Sequence, residues 1–117
     1  MTEVKLYHRT TLEKACSILK SGFRDGTGNY LTAQRWTGVW LSDQPLDENE
    51  GANGSTLLSM RIPAGIIAPF EWVQDVGYRE FLVPSKVVNK YLPPSVEEVD
   101  VYHPELQKHW RLVKDAS

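Results

Sequence analysis

Cysteine is nearly absent from this chain of 117 residues, which contains only Cys16. A lone cysteine cannot form an internal disulfide, and this usage is typical of the reducing cytoplasm. The three histidines are scattered, and neither they nor Cys16 show the paired spacing of a zinc site, so we expect no metal. The glycine patterns that hold phosphate groups, Gly-x-x-x-x-Gly-Lys-Ser/Thr and Gly-x-Gly-x-x-Gly, are missing as well.

Excess positive charge and long apolar stretches are also missing. Thirteen Lys and Arg against fifteen Asp and Glu give a formal net charge of -2, which leaves no bulk positive field to hold duplex nucleic acid. The longest apolar stretches, such as 65–70, are far shorter than the roughly 20 residues that span a bilayer. The start MTEVKLYHRT lacks the basic and then apolar pattern of a signal peptide. We therefore expect a cytoplasmic protein that does not enter a membrane.

The chain does contain enough apolar material for one folded domain. Hydrophobic residues make up 41% of it, including four Trp, five Tyr and three Phe. Disordered chains lack the apolar surface that offsets the entropy of ordering. Because no repeat or linker-like segment divides the sequence, we predict a single domain over residues 1–117.

The first predicted helix has clear boundaries. Thr10 and Glu13 have the spacing of a capping box, which predicts a helix over about 11–20 that ends at Gly22. Leu12, Ala15, Cys16 and Leu19 form its apolar stripe, so we interpret Cys16 as a core residue rather than a nucleophile.

The rest of the chain reads mainly as strands and loops. Turn-forming residues predict long exposed loops over 24–37 and 43–55, and the tail 105–114 fits either a helix or a strand. Together the elements predict an α+β domain on an antiparallel or mixed sheet, with one clear N-terminal helix. Strands are predicted at 4–8, 38–42, 56–62, 70–73, 79–83 and 99–102, and helical turns at 85–90.

Three segments carry residues that composition alone does not explain. They are Leu-Tyr-His-Arg-Thr at 6–10, Gly-Val-Trp-Leu-Ser at 38–42 and Arg-Glu-Phe-Leu-Val at 79–83. In this order they resemble the motif strands of the ADP-ribosyltransferase superfamily, in its His-Tyr-Glu branch of diphtheria-toxin-like and poly(ADP-ribose) polymerase catalytic domains. Ile-Leu-Lys-Ser-Gly-Phe at 18–23 resembles the turn after that family's first helix. The chain is similar to a small, divergent member, and the resemblance implies an ADP-ribosyltransferase-like fold.

The resemblance also implies an activity and its catalytic residues, Glu80 and His8. The family's enzymes transfer ADP-ribose from NAD, their co-substrate, by breaking the bond between ribose and nicotinamide through an oxocarbenium-like transition state. Glu80 would accept a hydrogen bond from a ribose hydroxyl and orient or deprotonate the acceptor. His8 would form a hydrogen bond with the other ribose through a neutral imidazole.

The cofactor-binding residues that the resemblance implies are His8, Arg9, Thr10, Trp40 and Ser42. Trp40 stands where the family usually has Tyr, and it would stack on the nicotinamide, a planar cation. The backbone of Arg9 would bind the carboxamide, and Thr10 would support the turn. Ser42 ends the second motif.

Other interpretations stay open on the residues alone. His8 and Trp40 also fit ordinary strand and core positions, and Glu80 can point to solvent. The chain could be a non-catalytic NAD- or nucleotide-binding module of the same fold, or an enzyme like the RNA 2'-phosphotransferases. The acceptor could be a protein or single-stranded nucleic acid, and a toxin would have an immunity partner. Three arginines could bind diphosphate or simply be solvated: Arg24, Arg35 and Arg79.

Overall fold

The structure, a computed structural model, describes residues 2–29, 35–46, 54–73 and 76–117. The strands are β1 (Glu3–Thr10), β2 (Gly26–Asn29), β3 (Arg35–Ser42), β4 (Thr56–Pro63), β5 (Glu71–Trp72), β6 (Glu80–Val83) and β7 (Ser95–Glu98). The helices are α1 (Leu12–Ser21), α2 (Ala64–Ile67), α3 (Ser85–Val88) and α4 (Leu106–Asp115), with 3-10 turns at Ala68–Phe70 and Asn89–Tyr91.

The strands form one sheet, in the order β5, β6, β3, β1, β4, β7, with β2 paired to β3. Every strand pair within the described ranges is antiparallel. β1 pairs with β4 along its whole length, whereas its register with β3 is limited to Tyr7 opposite Ser42. The predicted α+β class is confirmed, and β1 and β3 separate beyond that one pair.

One hydrophobic core joins the sheet to its helices. Leu6 in β1 and Phe81 in β6 are fully buried at its centre. Ile18 of α1 is buried too, while Leu19 is only partly buried against the core. The rest of the predicted α1 stripe is confirmed as buried: Leu12, Ala15 and Cys16.

The predicted capping box of Thr10 and Glu13 is wrong, because the N-cap lies one residue later. β1 continues through Thr10, which is buried (5% exposed) and paired with β4. The N-cap is therefore Thr11, whose Oγ1 accepts a hydrogen bond from the backbone N–H of Lys14 at 3.2 Å. The predicted helix end is confirmed, because Gly22 follows the helix with a φ of +88°, a conformation that favours glycine.

The predicted loop over 24–37 is partly wrong. Gly26–Asn29 forms β2 and pairs with the first half of β3, where Gly28 lies opposite Trp36. The Trp36 ring covers this strand, and backbone pairing together with the ring compensates for the low strand propensity of glycine. Residues 30–34, and residues 47–53 of the other predicted loop, lie outside the described residues.

The predicted strand at 99–102 is wrong. Val101 and Tyr102 lie in an exposed turn, in which the Tyr102 backbone N–H donates a hydrogen bond to the Asp100 carboxylate at 3.0 Å. The last strand is instead β7, where Val96 is buried and pairs with Leu58 of β4.

The expectation of one clear helix at the N-terminus is also wrong. The ambiguous tail forms α4, which has ten residues like α1 and buries Leu106 and Val113. The helical turns predicted at 85–90 are confirmed as α3 and the 3-10 turn after it. None of the helices within the described ranges is long and apolar enough to cross a membrane.

Candidate functional site

A cleft of about 880 Å³ opens beside β1, β3 and α1. Small-molecule sites in proteins usually enclose roughly 300–1,000 Å³, so its size suits a ligand. The three predicted motifs reach it from different strands: β1, β3 and β6. It brings together every residue that the sequence analysis assigned to a site: His8, Arg9, Thr10, Trp40, Ser42 and Glu80.

His8 lies where β1 and β3 separate. Its Nδ1 is 2.8 Å from the carbonyl oxygen of Trp40. Because a carbonyl oxygen only accepts hydrogen bonds, Nδ1 must donate, which leaves Nε2 of the neutral ring as an acceptor. Burial, and to a lesser extent the positive charge of Lys14, lower the pKa of His8 below its ordinary value of 6.5. The ring is therefore neutral at neutral pH and can accept a hydrogen bond from a hydroxyl group.

Phe23 supports the other side of the His8 ring. The two rings meet edge to face, with 5.4 Å between their centroids. The side-chain amide of Asn89 holds Phe23 in place, since it accepts from the Phe23 N–H at 2.8 Å and donates to the Phe23 carbonyl at 3.0 Å. Gly22 makes room for this amide, because a Cβ there would lie 3.1 Å from its oxygen. The 18–23 motif thus has a role in positioning His8.

Trp40 is half-buried in β3 between two other tryptophans. Its ring lies 5.6 Å from that of Trp36, with the planes at 68°, and 5.5 Å from that of Trp72, with the planes at 76°. Both are edge-to-face contacts, which hold the Trp40 indole in one orientation. Trp36 also lines the cleft, and our sequence analysis missed it, although its spacing from Trp40 places both on one face of β3.

Glu80 is the half-buried first residue of β6. It lies opposite Ser42 of β3, and Ser42 in turn lies opposite Tyr7 of β1. Residues that face each other across antiparallel strands share one side of a sheet. Glu80, Ser42 and Tyr7 therefore form a row across three strands, and all three line the cleft.

Arg79, the residue before Glu80, is fixed by hydrogen bonds of its backbone and its side chain. The Arg79 N–H donates to the Asp43 carboxylate at 2.9 Å, and the Asp43 N–H donates to the Arg79 carbonyl at 3.0 Å. The Arg79 guanidinium donates to both carboxylate oxygens of Glu71, at 3.0 and 2.8 Å, which lowers the pKa of Glu71. This pairing occupies Arg79 outside the cleft, so it does not fit a diphosphate-binding role.

Two of the predicted cofactor-binding residues use their side chains for internal contacts. The Arg9 guanidinium donates to the Leu46 carbonyl through Nε and to the Glu98 carboxylate at 3.1 Å through Nη2. The Ser42 hydroxyl donates to the Gln44 carbonyl at 2.6 Å. These bonds hold the segment after β3 against the cleft, which Leu46 also lines.

Two basic residues from the segments in and just after α1, Lys14 and Arg24, line the cleft. Neither forms an ion pair with another residue that the structure describes. Our sequence analysis named Arg24 but missed Lys14, which belongs to none of the three motifs. With Thr11 as the N-cap, Lys14 lies in the first turn and lines the cleft. Arg35 lies on β3 outside the cleft lining.

Within the described ranges, no group of three or more His, Cys, Asp or Glu side chains is arranged to hold a metal ion. Comparisons of the chain with protein-family models, with curated proteins and with solved structures find no match. A functional assignment therefore depends on the cleft and its residues.

Proposed function

We propose that the protein is an NAD-dependent ADP-ribosyltransferase, which transfers ADP-ribose to a macromolecular acceptor and releases nicotinamide. One observation carries the proposal. His8, Trp40 and Glu80 come from three separate motifs, yet all three line the same cleft. The sheet order β6, β3, β1 brings the three motif residues to this cleft, in the combination that the transfer of ADP-ribose needs.

The properties of the cleft suit NAD. A planar cation is attracted to the face of an indole ring such as Trp40. The Nε2 of neutral His8 can accept a hydrogen bond from a ribose hydroxyl. The ammonium of Lys14 and the guanidinium of Arg24 line the same cleft and can attract the diphosphate. The cleft thus offers partners for the nicotinamide ring, a ribose and the diphosphate of NAD.

Glu80 is the residue proposed to promote the chemistry. The bond that breaks joins the ribose C1′ to the nicotinamide nitrogen, which leaves with the bonding electrons. The bond that forms joins C1′ to an acceptor atom, whose proton passes to the Glu80 carboxylate. Positive charge develops on the ribose in the transition state, so a nearby carboxylate stabilises that state more than the ground state. His8 and Trp40 position the substrate.

Nicotinamide release from NAD tests the proposal. We expect the purified protein to release nicotinamide, with water as the acceptor when no other is supplied. Glu80→Gln should lower the rate by about 100-fold or more, the usual effect of removing a general base. Glu3→Gln is the matched control, because Glu3 is exposed at the start of β1 and does not line the cleft.

Two results would count against this function. Full activity of a folded Glu80→Gln variant would exclude the assigned catalytic role. NAD binding without nicotinamide release, even with protein and single-stranded nucleic acid acceptors, would indicate a non-catalytic NAD-binding module instead.

A further inference from the structure

Trp36 takes up an unusual position beside the cleft. It pairs with Gly28 across the β2–β3 hairpin, and its indole lies against both glycines of β2. A Cβ at Gly28 would lie 2.7 Å from the ring, and one at Gly26 would lie 3.3 Å from it. The hairpin thus has glycine where the ring needs space, and Trp36 is held beside Trp40.

Trp36 and Trp40 form a corner with two aromatic walls. Their planes meet at 68°, their centroids are 5.6 Å apart, and both rings line the cleft. Trp72 contacts Trp40 at 76° and supports that wall. Aromatic rings set at steep angles are the arrangement by which proteins bind organic cations, since each ring offers a negative face.

The charges nearby favour a cation in this part of the cleft. Glu80 lines the same cleft, in the strand next to β3. His8 is bonded to the Trp40 carbonyl, and its lowered pKa keeps it neutral at neutral pH. Three basic residues line the cleft. Lys14 and Arg24 belong to the segments in and just after α1, and Arg9 of β1 is paired with Glu98, so none of the three lies on β3, the strand that carries the corner.

We propose that Trp36 is a specificity-determining residue, which together with Trp40 selects the positively charged nicotinamide ring of oxidised NAD over the neutral ring of NADH. This inference rests on the proposed function and adds a residue that the motifs do not include. A neutral ring would gain the apolar contact of the corner but not the attraction between a cation and two aromatic faces.

Calorimetric titration with four ligands tests the role of Trp36. The ligands are NAD and NADH, which differ in ring charge, and 1-methylnicotinamide and nicotinamide, which show the same difference without the dinucleotide. Trp36→Leu should weaken binding of NAD and 1-methylnicotinamide by about three- to thirty-fold, the range that follows from typical cation–π strengths. Binding of NADH and nicotinamide should change by less than about twofold. Trp36→Phe should restore most of the selectivity, because it keeps an aromatic face.

The matched control is Trp110→Leu, since Trp110 is 51% exposed on α4 and lies outside the cleft lining. This variant should bind all four ligands like the wild type. If folded Trp36→Leu keeps the wild-type preference for NAD over NADH, the inference is wrong, while continued nicotinamide release would leave the proposed function standing. If the wild type neither binds NAD nor releases nicotinamide, the proposed function fails. In that case, the cation-binding role of the Trp36–Trp40 corner would be supported if the wild type binds 1-methylnicotinamide and Trp36→Leu does not. It would be overturned if the wild type does not bind 1-methylnicotinamide.

Discussion

Replacing Asn89 by Ala should destabilise the protein, because this one side chain holds the turn that supports His8. The Asn89 amide makes two hydrogen bonds to the backbone of Phe23, at 2.8 and 3.0 Å. Phe23 is only 4% exposed, so water cannot easily replace the missing partners. Asn89→Ala therefore leaves both an N–H and a carbonyl without a hydrogen bond.

The size of the effect follows from these two groups. A buried polar group that loses its partner costs about 1–3 kcal/mol, which gives about 2–6 kcal/mol for two groups. Because both bonds are only partly buried, we expect the lower part of that range, roughly 2–4 kcal/mol of unfolding free energy. That is a large fraction of the roughly 5–15 kcal/mol by which domains are usually stable. For a chain of this length it should lower the thermal midpoint by roughly 10 °C.

Urea unfolding followed by circular dichroism measures the loss directly. The slope of free energy against urea should stay unchanged, because the fold and its buried surface are the same. Gln107→Ala is the control, since Gln107 is exposed on α4 and should change stability by less than about 0.5 kcal/mol. If Asn89→Ala also stays within about 0.5 kcal/mol of the wild type, the two bonds do not hold the turn.

Three further predictions concern residues around the cleft. Gly28→Ala should lower the unfolding free energy in urea by about 1–3 kcal/mol, because its Cβ would lie 2.7 Å from the Trp36 ring. The control is Gly65→Ala, whose Cβ would have nothing within 4 Å, and it should be neutral or stabilising. Arg9→Met should cost about 1–2 kcal/mol by the same assay and weaken NAD binding in titration, because the Leu46 carbonyl loses its donor. Below pH 6.5 the unfolding free energy of the wild type should fall more steeply than that of His8→Asn. The two slopes should differ by up to about 1.4 kcal/mol per pH unit in unfolding measured across pH.

The sign of the pH effect follows from the direction of the His8 shift. The folded protein holds this imidazole neutral below its ordinary pKa of 6.5, so between the two pKa values the unfolded chain binds the proton more readily. The stability that His8 contributes is full above pH 6.5 and is lost as the pH falls toward the folded pKa. Equal pH dependence in the wild type and His8→Asn would contradict this. Equal stability of Gly28→Ala and Gly65→Ala, or unchanged stability of Arg9→Met, would contradict the other two predictions.

Much of the strand pattern could be predicted because it is local. Residues 38–42 and 79–83 are short stretches rich in strand formers and bounded by turn formers, and they contain the second half of β3 and the whole of β6. The residues proposed for the site lie in those same segments and in β1. The resemblance of the three motifs to a known family placed them in one set, but the cleft depends on how β1, β3 and β6 pair.

The parts that could not be predicted depend on distant contacts. Thr10 and Thr11 are both good N-cap residues, and only the pairing of Thr10 with Thr56 across the sheet decides between them. β2 contains two glycines, and its pairing depends on the Trp36 ring that covers them. In β7 only Val96 is buried, so nothing local distinguishes this edge strand from a loop.

Stability with and without NAD is the most direct test of whether the cleft binds this substrate. We expect NAD at a hundred times its dissociation constant to raise the unfolding free energy of the wild type by about 2.7 kcal/mol. His8→Ala should lose about half of that gain or more at the same NAD concentration, because the alanine side chain has no acceptor for a ribose hydroxyl and a lost hydrogen bond weakens binding by about tenfold. No stabilisation of the folded wild type, or an equal gain in His8→Ala, would contradict NAD binding in the cleft at His8.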